Sequence, residues 1–237
     1  TELPAYHSAY LYNAPYGNYL DVSTFFHEFG HFSNFCLAEV PASAYDLCEI
    51  HSQGLEALSL AFADQLAGEE GGDAYRLRVL YGLAGVAIDG CLYDEFQQII
   101  YARGDITAEE MAELYSQLAV EYGYYYDGPS YDWVQVNHTF EQPFYYISYA
   151  TSALTALELL ANSSQDFDTW ADAYLALVAR SDGAGYQQTV TEAGFSNPFE
   201  EGSVQKIAEG ITDYMEEEVF DLPAFSDLEG HWSQAAA

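Results

Sequence analysis

Two histidines four residues apart constrain this chain more than anything else in it. They stand in the run Asp21-Val22-Ser23-Thr24-Phe25-Phe26-His27-Glu28-Phe29-Gly30-His31-Phe32. Residues at i and i+4 share a face when the segment is helical, so the run predicts a helix whose two imidazoles point the same way and can hold one metal ion. Glu28 lies one step off that face. It is placed to take a proton from a metal-bound water rather than to bind the metal itself. Phe25, Phe29 and Phe32 fall at i, i+4 and i+7 on the roughly opposite side, which predicts that the aromatic face anchors the helix while the histidine face looks into a cleft. Asp21 or Ser23 is expected to cap its start.

A third ligand comes from the next segment. Pro41 breaks the pattern, and Ser43 with Asp46 three residues on resembles a capping box with the shorter acid, so a second helix is expected to begin there and stop near Gly68. Leu47, His51, Gly54, Leu58 and Phe62 recur at helical spacing as its inward stripe. Glu49 lies 18 positions past His31 (49 − 31), enough chain to finish one helix, turn, and return an antiparallel one beside the metal face. Catalytic zinc commonly keeps three protein ligands and one open position, and His, His, Glu is a standard set. His27, His31 and Glu49 are therefore the predicted zinc ligands. His51 lies about 200° around the helix from Glu49, among apolar positions, and reads as a packed core histidine or as a donor behind a ligand. Glu56, two turns after Glu49 on the same face, either orients His27 or His31 through the free ring nitrogen or is an ordinary solvated acid.

Composition narrows the partners. The 237 residues carry 38 acidic against 5 basic side chains, a formal charge of −33, which repels phosphate backbones and anionic lipid headgroups and so argues against nucleic-acid and membrane-surface binding. No apolar run approaches the length of a membrane span, so membrane insertion is not expected. Cys36, Cys48 and Cys91 are an odd number without C-x-x-C spacing and read as small buried residues. The chain begins almost directly on motif-bearing sequence, which is expected of a segment from a longer protein.

Elsewhere the helical period dominates. Thr1 to Tyr19 reads as an irregular or partly extended lead-in. Asp73 to Arg103 is expected as a long helix with Leu77, Leu80, Leu83 and Val86 on one stripe, closed by Gly104. Thr107 with Glu110 makes a capping box before Met111, Leu114, Leu118 and Tyr122. A Gly-, Pro- and Tyr-rich connection runs from Gly123 to about Trp133. Further helices are expected from Thr151 to Leu160, from Asp166 to Arg180 with Trp170, Tyr174 and Leu177 inward, around Gln187, and from Ser203 to Glu217. No strand-type alternation persists, so the expected fold is all-α, a bundle of about eight helices.

These residues resemble the zinc metallopeptidases of the thimet oligopeptidase and oligoendopeptidase F type. The resemblance is carried by Asp21-Val22-Ser23-Thr24 leading into His27-Glu28-Phe29-Gly30-His31, and by Glu49, Ser52 and Glu56, similar to that family's E-x-x-S-x-x-x-E element. Tyr93-Asp94-Glu95-Phe96-Gln97 is similar to an acidic-aromatic stretch of oligoendopeptidases. The interval from His31 to Glu49 is shorter than the family's by about two helical turns, so a loop looks trimmed. A second family signature is resembled by Asn137-His138-Thr139-Phe140-Glu141-Gln142-Pro143-Phe144-Tyr145-Tyr146-Ile147-Ser148-Tyr149-Ala150-Thr151. There a histidine precedes a tyrosine-rich turn entering a helix. The resemblance implies that His138, Tyr146 and Tyr149 donate hydrogen bonds to substrate and to the tetrahedral intermediate, each contributing on the order of 3 kcal/mol. Tyr146 and Tyr149 share a helix face, whereas Tyr145 is expected to point elsewhere.

The tail differs in kind. Phe225-Ser226-Asp227-Leu228-Glu229-Gly230-His231-Trp232 resembles the opening of an S-layer homology module, whose repeats bind cell-wall polymers. The expected organisation is a helical catalytic domain over 1–222 and a linker with the start of that module over 223–237. The resemblance implies an extracellular or cell-surface setting, with attachment to a cell-wall polymer through the rest of the module; a cytoplasmic setting is the alternative. Together the residues point to a metalloendopeptidase binding one Zn2+ and acting on oligopeptides. A zinc aminopeptidase is disfavoured because Glu49 lacks a W-x-x-E-G context, and a non-catalytic cell-surface binding module on the same scaffold is the reading from another class.

Overall fold

The computed structural model describes residues 2, 3, 6, 8–40 and 44–218. Pro41, Ser43 and the tail motif around His231 lie outside the described residues. The expected all-α class holds. Among the described residues ten α-helices follow one another: α1 Tyr19–Leu37, α2 Tyr45–Ser59, α3 Ala63–Ala67, α4 Glu69–Arg103, α5 Ala108–Glu121, α6 His138–Glu141, α7 Ile147–Gln165, α8 Phe167–Val178, α9 Tyr186–Glu192 and α10 Ser203–Glu218. The lead-in holds two two-residue strands, β1 Glu2–Leu3 and β2 Ser8–Ala9, paired antiparallel. No helix of the described residues is long and apolar enough to cross a membrane.

The two helices beyond the expected eight have local causes. After Ser59 the chain tightens into a 3-10 turn over Leu60–Phe62 before α3 resumes. That break takes Phe62 off the inward stripe and leaves it 47 % exposed. Gly68, at φ 77°, then ends this path as expected, in a conformation that costs glycine nothing. The other extra helix is α6, one turn long, carrying His138. The capping box of Thr107 and Glu110 forms as read, each side chain meeting the other's backbone N–H.

The chain divides into two compact units, residues 1–84 with 152–237, and residues 85–151. In the first, Leu47, Ile50 and Leu58 of α2 pack with Leu159 of α7, Tyr174, Leu177 and Val178 of α8, and Val190 of α9. Each such side chain contributes ~1.5–3 kcal/mol by leaving water. In the second, Leu92, Tyr93, Phe96 and Ile100 of α4 meet Tyr115, Leu118 and Ala119 of α5, with Trp133 closing the group. Against the expectation of three buried residues, Cys36 near the end of α1 is exposed and Cys48 and Cys91 are half-buried, and none of the three forms a disulfide.

α1 is held by the face opposite to the one expected. Phe25 and Phe29 are 44 % and 39 % exposed, and their rings run as a stacked ladder, Phe25 to Phe29 at 5.7 Å and Phe29 to Phe32 at 5.4 Å. The anchoring contacts come from the side of Gly30 and Asn34. The Asn34 amide donates to the Val178 carbonyl at 2.7 Å. A Cβ built on Gly30 would stand 2.6 Å from the His51 carbonyl carbon and 2.7 Å from the Ser52 Cα, so only glycine lets α1 meet the α2 backbone there.

Candidate metal centre

α1 starts one turn before the sequence suggested. Asn18 is its cap, accepting from the Leu20 N–H at 2.9 Å. Asp21, three residues on, closes the box from inside the helix. Its carboxylate accepts the backbone N–H groups of Tyr16, Gly17 and Asn18, and those bonds hold its carboxyl below the usual range. Ser23 is no cap either; its hydroxyl donates to Glu56. Helix α2 begins after Ala44, which has no side chain able to cap.

The close approach of α1 and α2 brings His27, His31 and Glu49 together, with one ligand atom from each lying within 4.8 Å of the others. The Glu49 Oε2 stands 3.6 Å from His27 Nε2 and 3.8 Å from His31 Nε2. The two imidazoles lie edge to face with centroids 5.1 Å apart. Glu49 is buried, 7 % exposed, and the Ser52 hydroxyl donates to its Oε2 at 3.0 Å. Behind His27, Nδ1 meets the Glu56 carboxylate at 2.8 Å. Of the two readings of Glu56, the structure thus selects the orienting one.

This arrangement fits a cation. With its Nδ1 proton given to Glu56, His27 presents a lone pair from Nε2 toward a carboxylate oxygen, acceptor facing acceptor, and positive charge between them reconciles the two. The electrostatics run the same way. Burial opposes a charge on His27, but the Glu56 hydrogen bond and the charges of Glu56, Glu49 and Glu28 outweigh it and raise its pKa. His31 is pulled down, by burial and by the neighbouring His27 against the attraction of Glu49. Glu28, next to His27 in the chain, is exposed. His51 is 2 % exposed; burial depresses its pKa to about 3, so it stays neutral, while its carbonyl accepts the Tyr174 hydroxyl at 2.6 Å. It is a core residue.

The second unit gathers the other candidates. His138 stacks on Tyr145, with centroids 4.8 Å apart and planes 17° from parallel, and lies 5.9 Å from Tyr146 and 6.0 Å from Tyr149. Tyr145 was expected to point elsewhere. Helix α7 begins only at Ile147, so helical spacing does not govern the tyrosines before it. Phe144 adopts φ 65°, the sole non-glycine residue with positive φ among those described, and its N–H is held at 2.7 Å by the fully buried Gln97 carbonyl. Sequence reasoning gave Gln97 no role. Nothing in a local pattern reports a turn that needs a partner 47 residues away. Burial, the Asp89 charge and Tyr149 raise the Tyr146 pKa, keeping its phenol a donor.

No protein-family model matches the sequence, and no curated protein matches it. Solved structures do. A PZ peptidase A bound to an inhibitor aligns with a TM-score of 0.79 at 24 % identity, over 92 % of this chain and 41 % of its own. A structure assigned as an oligoendopeptidase F aligns at 0.81 and 22 % identity over 95 % of this chain and 41 % of its own. A Bacillus anthracis protein assigned likewise gives 0.74 and 22 % identity over 92 % and 38 %. At this level of identity the likeness establishes the fold, and the chain spans about two fifths of the length of the structures it matches.

Proposed function

We propose that the chain is the metal-bearing part of a zinc-dependent endopeptidase acting on short oligopeptides. The observation that carries this is the convergence of two imidazole nitrogens and a buried carboxylate within 4.8 Å, with Glu56 fixing the tautomer of His27 from behind. That donor set suits zinc, and the fold shared with peptidases agrees. Zinc, when bound, would supply Lewis-acid polarisation of the scissile carbonyl and lower the pKa of water toward neutrality.

The remaining steps belong to the chain's own residues. His27, His31 and Glu49 hold the ion, and Ser52 and Glu56 keep two of those side chains in place. Glu28 takes the proton of the attacking water and later delivers it to the leaving amine. The resemblance to the oligopeptidases assigns to His138, Tyr146 and Tyr149 the hydrogen bonds to the oxygen that gains charge. The tail's resemblance to a cell-wall-binding module supports a cell-surface setting.

Two variants test the proposal. Glu28→Gln should lower cleavage of an internally quenched peptide by ~10³-fold while leaving zinc content intact. Glu49→Ala should lose stoichiometric zinc. Full activity in the first, or unchanged high-affinity zinc in the second, overturns the mechanism.

A further inference from the structure

The second unit carries a cavity that the proposed chemistry does not use. It measures about 390 Å³ and is open to solvent, and its walls are five tyrosines and two carboxylates, with Gln135 and Val136 completing the lining. Asp89 and Tyr93 sit at i and i+4 on one face of α4. Tyr115 comes from α5, Tyr124 and Tyr126 from the connection after it, and Asp132 opens the 3-10 turn Asp132–Gln135. The rings form a continuous wall, Tyr93 lying 5.6 Å from Tyr115 and 4.8 Å from Tyr146, and Tyr115 lying 6.0 Å from Tyr126. The Tyr124 hydroxyl donates to Asp89 at 2.6 Å and the Tyr126 hydroxyl to Asp132 at 2.7 Å. Each phenol therefore fixes one oxygen of its carboxylate, and both carboxylates belong to the cavity lining.

The chemistry of the wall selects the ligand. Aromatic faces beside carboxylates attract an organic cation, through the ring quadrupole and the negative charge together. A hard metal ion would want six or more oxygens around it and gains little from ring faces. No lysine, arginine or histidine lines it; Arg103, the only Lys or Arg in 85–151, stands fourteen positions past Asp89 on the same helix, roughly 20 Å away. Burial together with the neighbouring acids drives the phenols of Tyr124 and Tyr126 well above their ordinary pKa, so the wall stays neutral while Asp89 and Asp132 supply the charge.

We propose that this cavity is a subsite for the ammonium or guanidinium group of a lysine or arginine side chain in the peptide substrate. It shares Tyr146 with the cluster around His138. The assignment to substrate rests on the peptidase reading above; binding of the cation does not.

The test uses the whole chain. Titration with N-acetyl-lysine amide and N-acetyl-arginine amide should show saturable binding at moderate salt, and the neutral isostere N-acetyl-norleucine amide should bind at least about tenfold more weakly. The double variant Asp89→Asn with Asp132→Asn keeps an acceptor for both phenols and should lose that preference. Asp105→Asn with Glu109→Gln removes the same charge from exposed positions outside the cavity and should retain it. Equal binding of the norleucine compound, or equal loss in both double variants, would show only general attraction to an acidic chain and overturn the proposal. In cleavage, peptides carrying lysine should have a KM lower than their norleucine counterparts, by a factor that the Asp89→Asn and Asp132→Asn pair abolishes. Cleavage without that preference overturns the subsite and leaves the peptidase reading standing. Absence of all cleavage overturns the peptidase reading, and the titration alone then decides the cavity.

Discussion

His27 and His138 sit in surroundings that differ in kind. Around His27 the contacts are polar and paired atom to atom: Nδ1 with Glu56, Nε2 toward Glu49, Ser52 on Glu49, Ser23 on Glu56. Around His138 they are ring faces and edges, with Tyr145 stacked and Tyr146 and Tyr149 at angles. The first arrangement hangs on two regular helices meeting at a fixed separation. The second hangs on an irregular turn, pinned by one buried amide under a residue in left-handed backbone. Regular helices make geometry from sequence spacing alone, whereas a turn makes it from a distant partner.

The hardest blow to that contrast is a single methyl group at Gly30. Alanine ordinarily favours a helix interior by ~1 kcal/mol over glycine. Here the added carbon overlaps the α2 backbone at His51 and Ser52, so Gly30→Ala should destabilise by about 3 kcal/mol and lower Tm by about 10 °C, with zinc affinity lost as well. Calorimetry with and without zinc checks it; a neutral or stabilising result would mean that the helices do not meet as described.

Glu56→Gln is gentler and separates the two sites. Removing the charge behind His27 should weaken zinc binding by about 10- to 100-fold, measured by competition with a chromophoric chelator. Tyr145→Leu, which takes away the stacked ring on His138, should leave zinc affinity where it was.

The smallest effect is an alkaline one in the tyrosine-rich unit. Burial pushes the Tyr93 phenol up to about 12, from an ordinary value near 10. The folded state thus resists an ionisation that the unfolded chain accepts, so the associated stability is complete below pH ~10 and is lost as pH rises toward 12. Exposed phenols ionise first, near pH ~10, and a second rise in tyrosinate absorbance should then accompany loss of helical circular dichroism toward pH 12. Completion of the whole absorbance change near pH ~10 with helicity unchanged would mean the buried phenols are not shielded.

Legibility in the sequence follows the same division. The pair His27 and His31, the return of Glu49 and the reach of Glu56 all follow from helical arithmetic, and so do the boundaries set by Gly68 and the Thr107 box. The face on which α1 packs was misjudged, because three phenylalanines outweigh one glycine on any hydropathy scale. Yet it is the small residue that allows close approach, and contact with α2 rather than apolar content decides which side is covered. Asn18 caps α1 one turn before Asp21, and Tyr19 and Leu20 between them are too few to carry an apolar period that would mark the start of a helix. The stacking of Tyr145 on His138 needs φ 65° at Phe144, which no residue period encodes.

Main-chain contact between α1 and α2 at Gly30 also settles how freely the three proposed ligands can wander. Their origins are tied to two rods touching backbone to backbone, so the cost of gathering them is met when the helices pack, before any ion arrives. A centre assembled in this way should exchange its metal without refolding, and surface residues elsewhere on either helix can change without altering the spacing of the donors.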